Sequence, residues 1–188
     1  MPAVEADRSG VLAKFRFGSS DFLPMSIAME SPNPEIAPMI DGIVRDVIST
    51  MTRIPIARSE QDPTPHSFGV NGLAGVVGLA GSLAANVHLV LSQATSHRLV
   101  AGMIGMDDLS DSDVRDGIGE FTNMIAGGLK NRLDAKGFRL RLTVPTLLRG
   151  EDVQVTAKGF TFGSTNLIWL EGDPDPLRVA VFAKMESQ

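Results

Sequence analysis

The chain has 188 residues, 43% hydrophobic and 21% charged, which is enough for one domain with a substantial core. Its net charge of −5 argues against a nucleic-acid binder, which needs a basic patch, and the lack of cysteine removes disulfides, thiolate metal sites and a cysteine nucleophile. No apolar run approaches the roughly 18 residues of a membrane span, and Lys14 and Arg16 interrupt any signal-peptide core, so a cytoplasmic protein without membrane insertion is expected.

Residues 1–33 show no sustained period and run into the turn-rich Glu30-Ser-Pro-Asn-Pro34. A flexible N-terminal segment followed by one domain over 34–188 is the expected organisation. Ile36, Met39, Ile40, Ile43, Val47, Ile48 and Met51 then recur at three and four, a helix with Pro34 and Pro38 near its start, where a missing N–H costs little. Residues 54–58 read as a short strand that Pro55 places at a sheet edge, and 59–67, with Pro63 and Pro65, as a loop. The Gly-rich run that follows lacks the Gly-Lys-Ser/Thr of a phosphate-binding loop. It reads as a strand of small residues turning at Gly81-Ser82 into a second strand, 83–91. There Val87, Leu89 and Leu91 face one way and Asn86 and His88 the other, so His88 is expected to be partly exposed. Ser92 is the N-cap of a helix to about Met103, ended by Gly105.

Ser110-Asp-Ser-Asp113 opens a long helix, about 112–136, with two carboxylates in its first turn and Gly137 at its end. Val114, Ile118, Phe121, Ile125, Leu129 and Leu133 form one apolar face. Asp116, Glu120, Asn123 and Gly127, spaced by four, three and four, form a face that points out of the fold. Gly117, Gly119, Gly127 and Gly128 are costly here, since a helical glycine loses about 1 kcal/mol relative to alanine. Either a neighbour packs closely against them, or the polar face must stay low so that another surface can approach. On the pattern alone, the plainer reading is that Glu120 and Asn123 are solvated and the glycines serve internal packing.

Beyond this helix, residues 138–144, 152–157, 160–162, 166–170 and 177–183 read as strands, with turn signals at Arg149-Gly150, Gly163-Ser164 and 172–176. The order helix, strands, two helices, strands predicts an α+β fold, an antiparallel sheet packed against helices on one side. His66, His88 and His97 lack ligand spacing, and no Gly-x-Ser-x-Gly elbow is present, so neither a histidine metal site nor a hydrolase triad is expected. The nine methionines and Trp169 read as core.

Glu120-x-x-Asn123, with Asp116 four residues before it, Met-Ile-Ala-Gly after it and Pro145 in Thr-Val-Pro-Thr beyond, resembles the signature of the CheC/CheX/FliY family of chemotaxis phosphatases. The single motif is most similar to the CheX branch, and the resemblance runs from roughly Pro34 to the C-terminus. It implies the same α+β fold and hydrolysis of the aspartyl phosphate on a CheY-like response regulator. It implies no cofactor of the chain's own, since Mg²⁺ would be held by the regulator. Asn123 would orient the attacking water and Glu120 would dock on the regulator's active-site lysine, with Asp116 and Gly127 as further partner-binding positions. One motif helix per chain, together with the row of strands in the C-terminal half, points to a homodimer. The alternatives are a non-catalytic receiver-binding module, which sequesters the regulator or couples it to the flagellar motor, and a purely structural dimer.

Overall fold

The computed structural model describes residues 35–62 and 67–185. The predicted N-terminal segment 1–33, Pro34, and Pro63, Pro65 and His66 of the predicted loop lie outside the described residues. In chain order the elements are α1 (Ile36–Met51), β1 (Ile56–Gln61), β2 (Ser67–Gly81), β3 (Leu83–Leu91), α2 (Gln93–Ile104), α3 (Asp111–Ala135), β4 (Leu140–Leu142), β5 (Thr146–Thr156), β6 (Phe162–Leu170) and β7 (Leu177–Met185). The strands form one antiparallel sheet in the order β1-β6-β7-β3-β2-β4, and β5 runs beside β2 beyond the end of β4. This is the α+β fold the element order predicts. Among the described residues, no helix is long and apolar enough to cross a membrane.

Alternation along β2 and β3 builds the main core. Leu73, Val77 and Leu79 of β2 and Val87, Leu89 and Leu91 of β3 turn to the helices, where they meet Ile118, Phe121, Ile125 and Leu129 of α3. Ile40, Ile43, Val44 and Ile48 of α1 close the same core. Full burial of one such side chain stabilises the fold by about 1.5–3 kcal/mol. The helix ends are chemically specified. Ser92 accepts from the Thr95 N–H at the start of α2, and Gly105 closes that helix in the left-handed region with φ 77°. At the end of α3, Gly137 N–H donates to Asp134 O (2.9 Å) and Phe138 N–H to Leu133 O (3.2 Å), the two-bond closure that a left-handed C′ glycine permits.

Two predicted turns are strand interiors. Arg149-Gly150 lies within β5, which passes a register shift opposite Val70 and Gly72. The irregularity is fixed by Asp152, with φ 55°, whose N–H donates to Asn71 Oδ1 at 2.6 Å. The local signal was real, but it marks a bulge and not a reversal. Gly163-Ser164 lies within β6, and a Cβ on Gly163 would stand 2.9 Å from Phe182 Cδ1. Packing against the neighbouring strand, not a turn, selects glycine there. The predicted loop from residue 59 is likewise strand as far as Gln61, because β1 continues its pairing with β6 to Asn166.

His88 departs from the expected partial exposure. It is buried at 9% exposure in a second, smaller core on the sheet face away from the helices, with Phe68, Val70, Ala74, Val90, Ala180 and Phe182. Its ring meets both Phe68 and Phe182 edge-on at 5.6 Å. Trp169, expected in the core, is half-buried at the β1–β6 edge under the Arg58 guanidinium, 3.8 Å from the ring centre. Burial pushes the His88 pKa down from 6.5 to about 4. Across this cluster the Arg178 guanidinium lies 5.5 Å over the Phe68 ring and is hydrogen-bonded to Asp62. The unfolded chain binds a proton at His88 more readily than the folded one. Stability from this group is therefore full above pH 6.5 and lost as the pH falls to about 4. Urea midpoints measured across that window should decline in the wild type. In His88→Leu the part of the decline between about pH 6.5 and 5, where most carboxylates are still ionised, should be absent.

Candidate functional site

The site is the outward face of α3, and its stability begins at the helix N-terminus. Ser110 and Asp113 form a reciprocal cap: Asp113 N–H donates to Ser110 Oγ (3.2 Å), and Ser110 N–H donates to Asp113 Oδ2 (2.8 Å). Arg149 of β5 reaches across, donating to Asp111 Oδ2 and to Gln93 Oε1, both at 2.9 Å. One side chain thus ties the first turn of α3 to β5 and α2. Asp111 is held below the usual carboxylate range by the Arg149 hydrogen bond, and Asp113 by the one from Ser110.

The predicted apolar stripe is buried at every position, and no residue of the polar face is. Asp116 and Glu120 are exposed, and Asn123 and Gly127 are half-buried. The helix brings all four to one side, with Glu120 and Asn123 one turn apart. Among the described residues, no three His, Asp or Glu side chains are grouped so as to hold a metal ion.

The four glycines divide between the two readings. A Cβ on Gly117 would stand 2.6 Å from a Val100 methyl, and one on Gly128 would stand 2.7 Å from Ile43 Cγ2. These two admit α2 and α1. Gly119 and Gly127 have room: a Cβ on each would make ordinary contacts of 3.9 Å with Leu147 Cδ1 and 4.0 Å with Leu142 Cδ1. They keep the polar face low. Leu142 ends β4 and Leu147 is the second residue of β5, so the link between them runs near the stretch of α3 from Gly119 to Gly127, which contains Asn123. Thr143 anchors that link, accepting from Gly78 N–H at 2.9 Å and donating its own N–H to Gly78 O at 2.9 Å. Val144 and Pro145 stand outside the pairing, and Val144 is 82% exposed. Sequence reading placed Pro145 in the motif; the exposed Val144 before it carried no separate signal.

With this geometry in hand, known proteins can be compared. A family model described as Chemotaxis phosphatase CheX matches residues 73–165, a span that starts in β2, contains all of α3 and ends in β6. The CheY-P phosphatase CheX of Thermotoga maritima is 28% identical over 136 residues, covering 71% of this chain and 88% of that protein. These two matches support a place for the chain in the CheC/CheX family. Solved structures of the CheC/CheX family share its fold at low identity. A chemotaxis protein from Desulfovibrio vulgaris Hildenborough superposes with a TM-score of 0.69 at 21% identity, over 82% of this chain and 100% of that one. CheX from Desulfovibrio desulfuricans gives 0.65 at 21%, over 81% and 99%. CheX from Borrelia burgdorferi, solved as a CheX-CheY-BeF3-Mg²⁺ complex, gives 0.63 at 20%, over 78% and 96%.

The glycine geometry sets an ordered stability series. Gly117→Ala overpacks Val100, a fault that costs about 1–3 kcal/mol and exceeds the helix gain of about 1 kcal/mol. Gly119→Ala meets only an ordinary contact and should gain up to about 1 kcal/mol. Urea denaturation of the two variants should therefore move the midpoint in opposite directions.

Proposed function

We propose that this CheC/CheX chain is a phosphatase that hydrolyses the aspartyl phosphate of a phosphorylated CheY-like response regulator in chemotaxis signalling. The observation that carries this is the outward-facing pair of exposed Glu120 and half-buried Asn123, one turn apart on a helix whose opposite face is fully buried. The CheY-P phosphatase named for the Thermotoga maritima relative supports it, as does the CheY bound to the Borrelia burgdorferi one. The chain contributes no cofactor. Mg²⁺ belongs to the regulator, where it neutralises the phosphoryl oxygens.

An acyl phosphate held by its own protein lacks only an aligned water. The Asn123 carboxamide has an acceptor and a donor, so it fixes the direction of a water without ionising. Attack in line on phosphorus forms the new P–O bond, breaks the bond to the aspartate oxygen, and leaves inorganic phosphate, which takes up the water's proton. Positioning of this kind is worth up to about 7–11 kcal/mol. Glu120 pairs with a lysine of the regulator and sets the register of docking, with Asp116 extending the acidic face. Gly127 keeps the helix surface low beside Asn123.

Assembly follows from the sheet edge. β5 is an outer strand, and Leu148 and Val153 on it are 44% and 42% exposed. A long edge with apolar side chains pairs with another chain unless it is blunted. Two copies joined here by a two-fold axis form a cytoplasmic homodimer with one site per chain.

Asn123→Ala should keep the fold and regulator binding while slowing dephosphorylation by about a hundredfold or more, read as the decay of labelled regulator phosphate. Near-wild-type decay sinks the mechanism. Binding by the wild type without faster decay identifies a receiver-binding module instead. Glu120→Ala should weaken regulator binding and flatten its salt dependence, because an interfacial charge pair is screened over about 8 Å at physiological ionic strength. Equal salt slopes remove Glu120 from docking. Light scattering at micromolar concentration should give twice the 20.0 kDa of one chain. A mass near one chain refutes the dimer.

A further inference from the structure

The inner side of α3 holds a contact that the motif does not include. Thr122 lies between Glu120 and Asn123 in sequence but faces the opposite way, fully buried at 0% exposure. Its Oγ1 donates to Ile118 O at 2.7 Å, so the side chain is bound back to its own helix. Directly beneath is Gly75 of β2, paired with Leu89 of β3 on one side and Leu147 of β5 on the other. A Cβ on Gly75 would lie 2.0 Å from Thr122 Oγ1, 2.9 Å from Thr122 Cβ and 3.2 Å from Thr122 Cγ2. No rotamer of Thr122 relieves this, because the Cβ does not move when the side chain turns. Gly75 is therefore a socket on β2, flanked by β3 and β5, and Thr122 is the knob that fills it.

We propose that the Gly75–Thr122 contact positions the site, fixing how deeply and at what point along β2 the turn carrying Glu120 and Asn123 is seated. Both are positioning residues, since neither reaches the polar face. The stripe of Ile118, Phe121 and Ile125 holds α3 down on the sheet, and a β-branched side chain in a glycine gap sets its register on β2. The neighbouring surfaces agree. Leu147 and Leu142 lie against α3 at Gly119 and Gly127, the positions on either side of Asn123, so a displacement of α3 on β2 shifts the segment that carries Asn123 relative to these two strands. The effect on rate rests on Asn123 holding the attacking water, as proposed above; the seating itself does not.

The test uses the full chain in four forms: wild type, Gly75→Ala, Thr122→Gly, and the exchange Gly75→Ala/Thr122→Gly, which moves the knob from helix to strand. Two readouts are taken: kcat and KM on a CheY-like receiver phosphorylated with acetyl phosphate, and the Asn123 side-chain amide signals in an NMR spectrum of each chain alone. Gly75→Ala should lower kcat by about tenfold or more, with KM within about threefold, because a displacement near 1 Å is felt by positioned chemistry more than by binding. Its Asn123 signals should shift. The exchange should return kcat to within about threefold of wild type and restore the signals. Unchanged kcat and unmoved Asn123 signals in Gly75→Ala overturn the proposal, as does an exchange chain that folds but stays displaced. If Gly75→Ala does not fold, the exchange chain decides: recovery of the fold and of the Asn123 signals supports the seating, and continued failure overturns it. If the wild type itself leaves the phosphate untouched, the phosphatase reading fails, and the Asn123 signals still decide the seating.

Discussion

A 25-residue helix laid across β2, with its whole apolar stripe buried, is the constraint from which the rest of the molecule follows. Both neighbouring helices meet it at glycines. α2 approaches at Gly117 through Val100, and α1 approaches at Gly128 through Ile43. The α1 crossing is reciprocal, since Gly42 of α1 makes room for Arg132 of α3, whose guanidinium donates to Met39 O at 3.0 Å and pairs with Asp46 at 3.2 Å. Close approach at small residues lets backbones pack where bulky side chains would hold them apart, and the lost helix propensity is the cost. A site on such an element inherits its rigidity. Glu120 and Asn123 need no loop to hold them, because their backbone is fixed from three sides.

The charges near the site work by placement more than by strength. Asp111 and Asp113 sit in the first turn, where the helix dipole favours anions, and each is held by a specific donor. Both are fully exposed, so the ion pair with Arg149 contributes little to stability. Its effect is geometric, because Arg149 joins the start of α3 to the edge strand that borders the site. The face thus combines exposed carboxylates at Asp116 and Glu120 with carboxylates already held by specific donors at Asp111 and Asp113.

Much of this was legible in the sequence, and the limits have a physical pattern. The stripe on α3, the β2–β3 hairpin at Gly81-Ser82, and the caps at Ser92, Gly105 and Gly137 all depend on contacts a few residues apart, which a period or a cap residue records. The outward grouping of Asp116, Glu120, Asn123 and Gly127 is of the same kind. What escaped depends on partners far along the chain. Gly150 looks like a turn until β2 is placed beside it, and Gly163 until Phe182 is. His88 alternates to the non-helix side of the sheet, which sequence reading takes to be wet. Phe68 and Phe182, brought together by strand order alone, make it dry. The same holds for Gly75, whose run of small residues suggested a strand but not which side chain needed the gap.

Strand order also governs when the sheet can exist at all. The two central strands are β3 and β7, and β7 is the last strand in sequence among the described residues. Among the described residues β1 pairs with β6 alone, so Gln61 waits for Asn166, more than a hundred residues downstream. The β2–β3 and β6–β7 hairpins are local and close cheaply, whereas joining them requires nearly the whole chain, and such long-range closure is the slow part of assembly. A chain cut before β6 would leave β1 unpaired and the inner edge of β3 open, exposing the hairpin that carries the socket for α3. Completion of the sheet thus waits on β6 and β7, and β1 finds its partner only once β6 is in place.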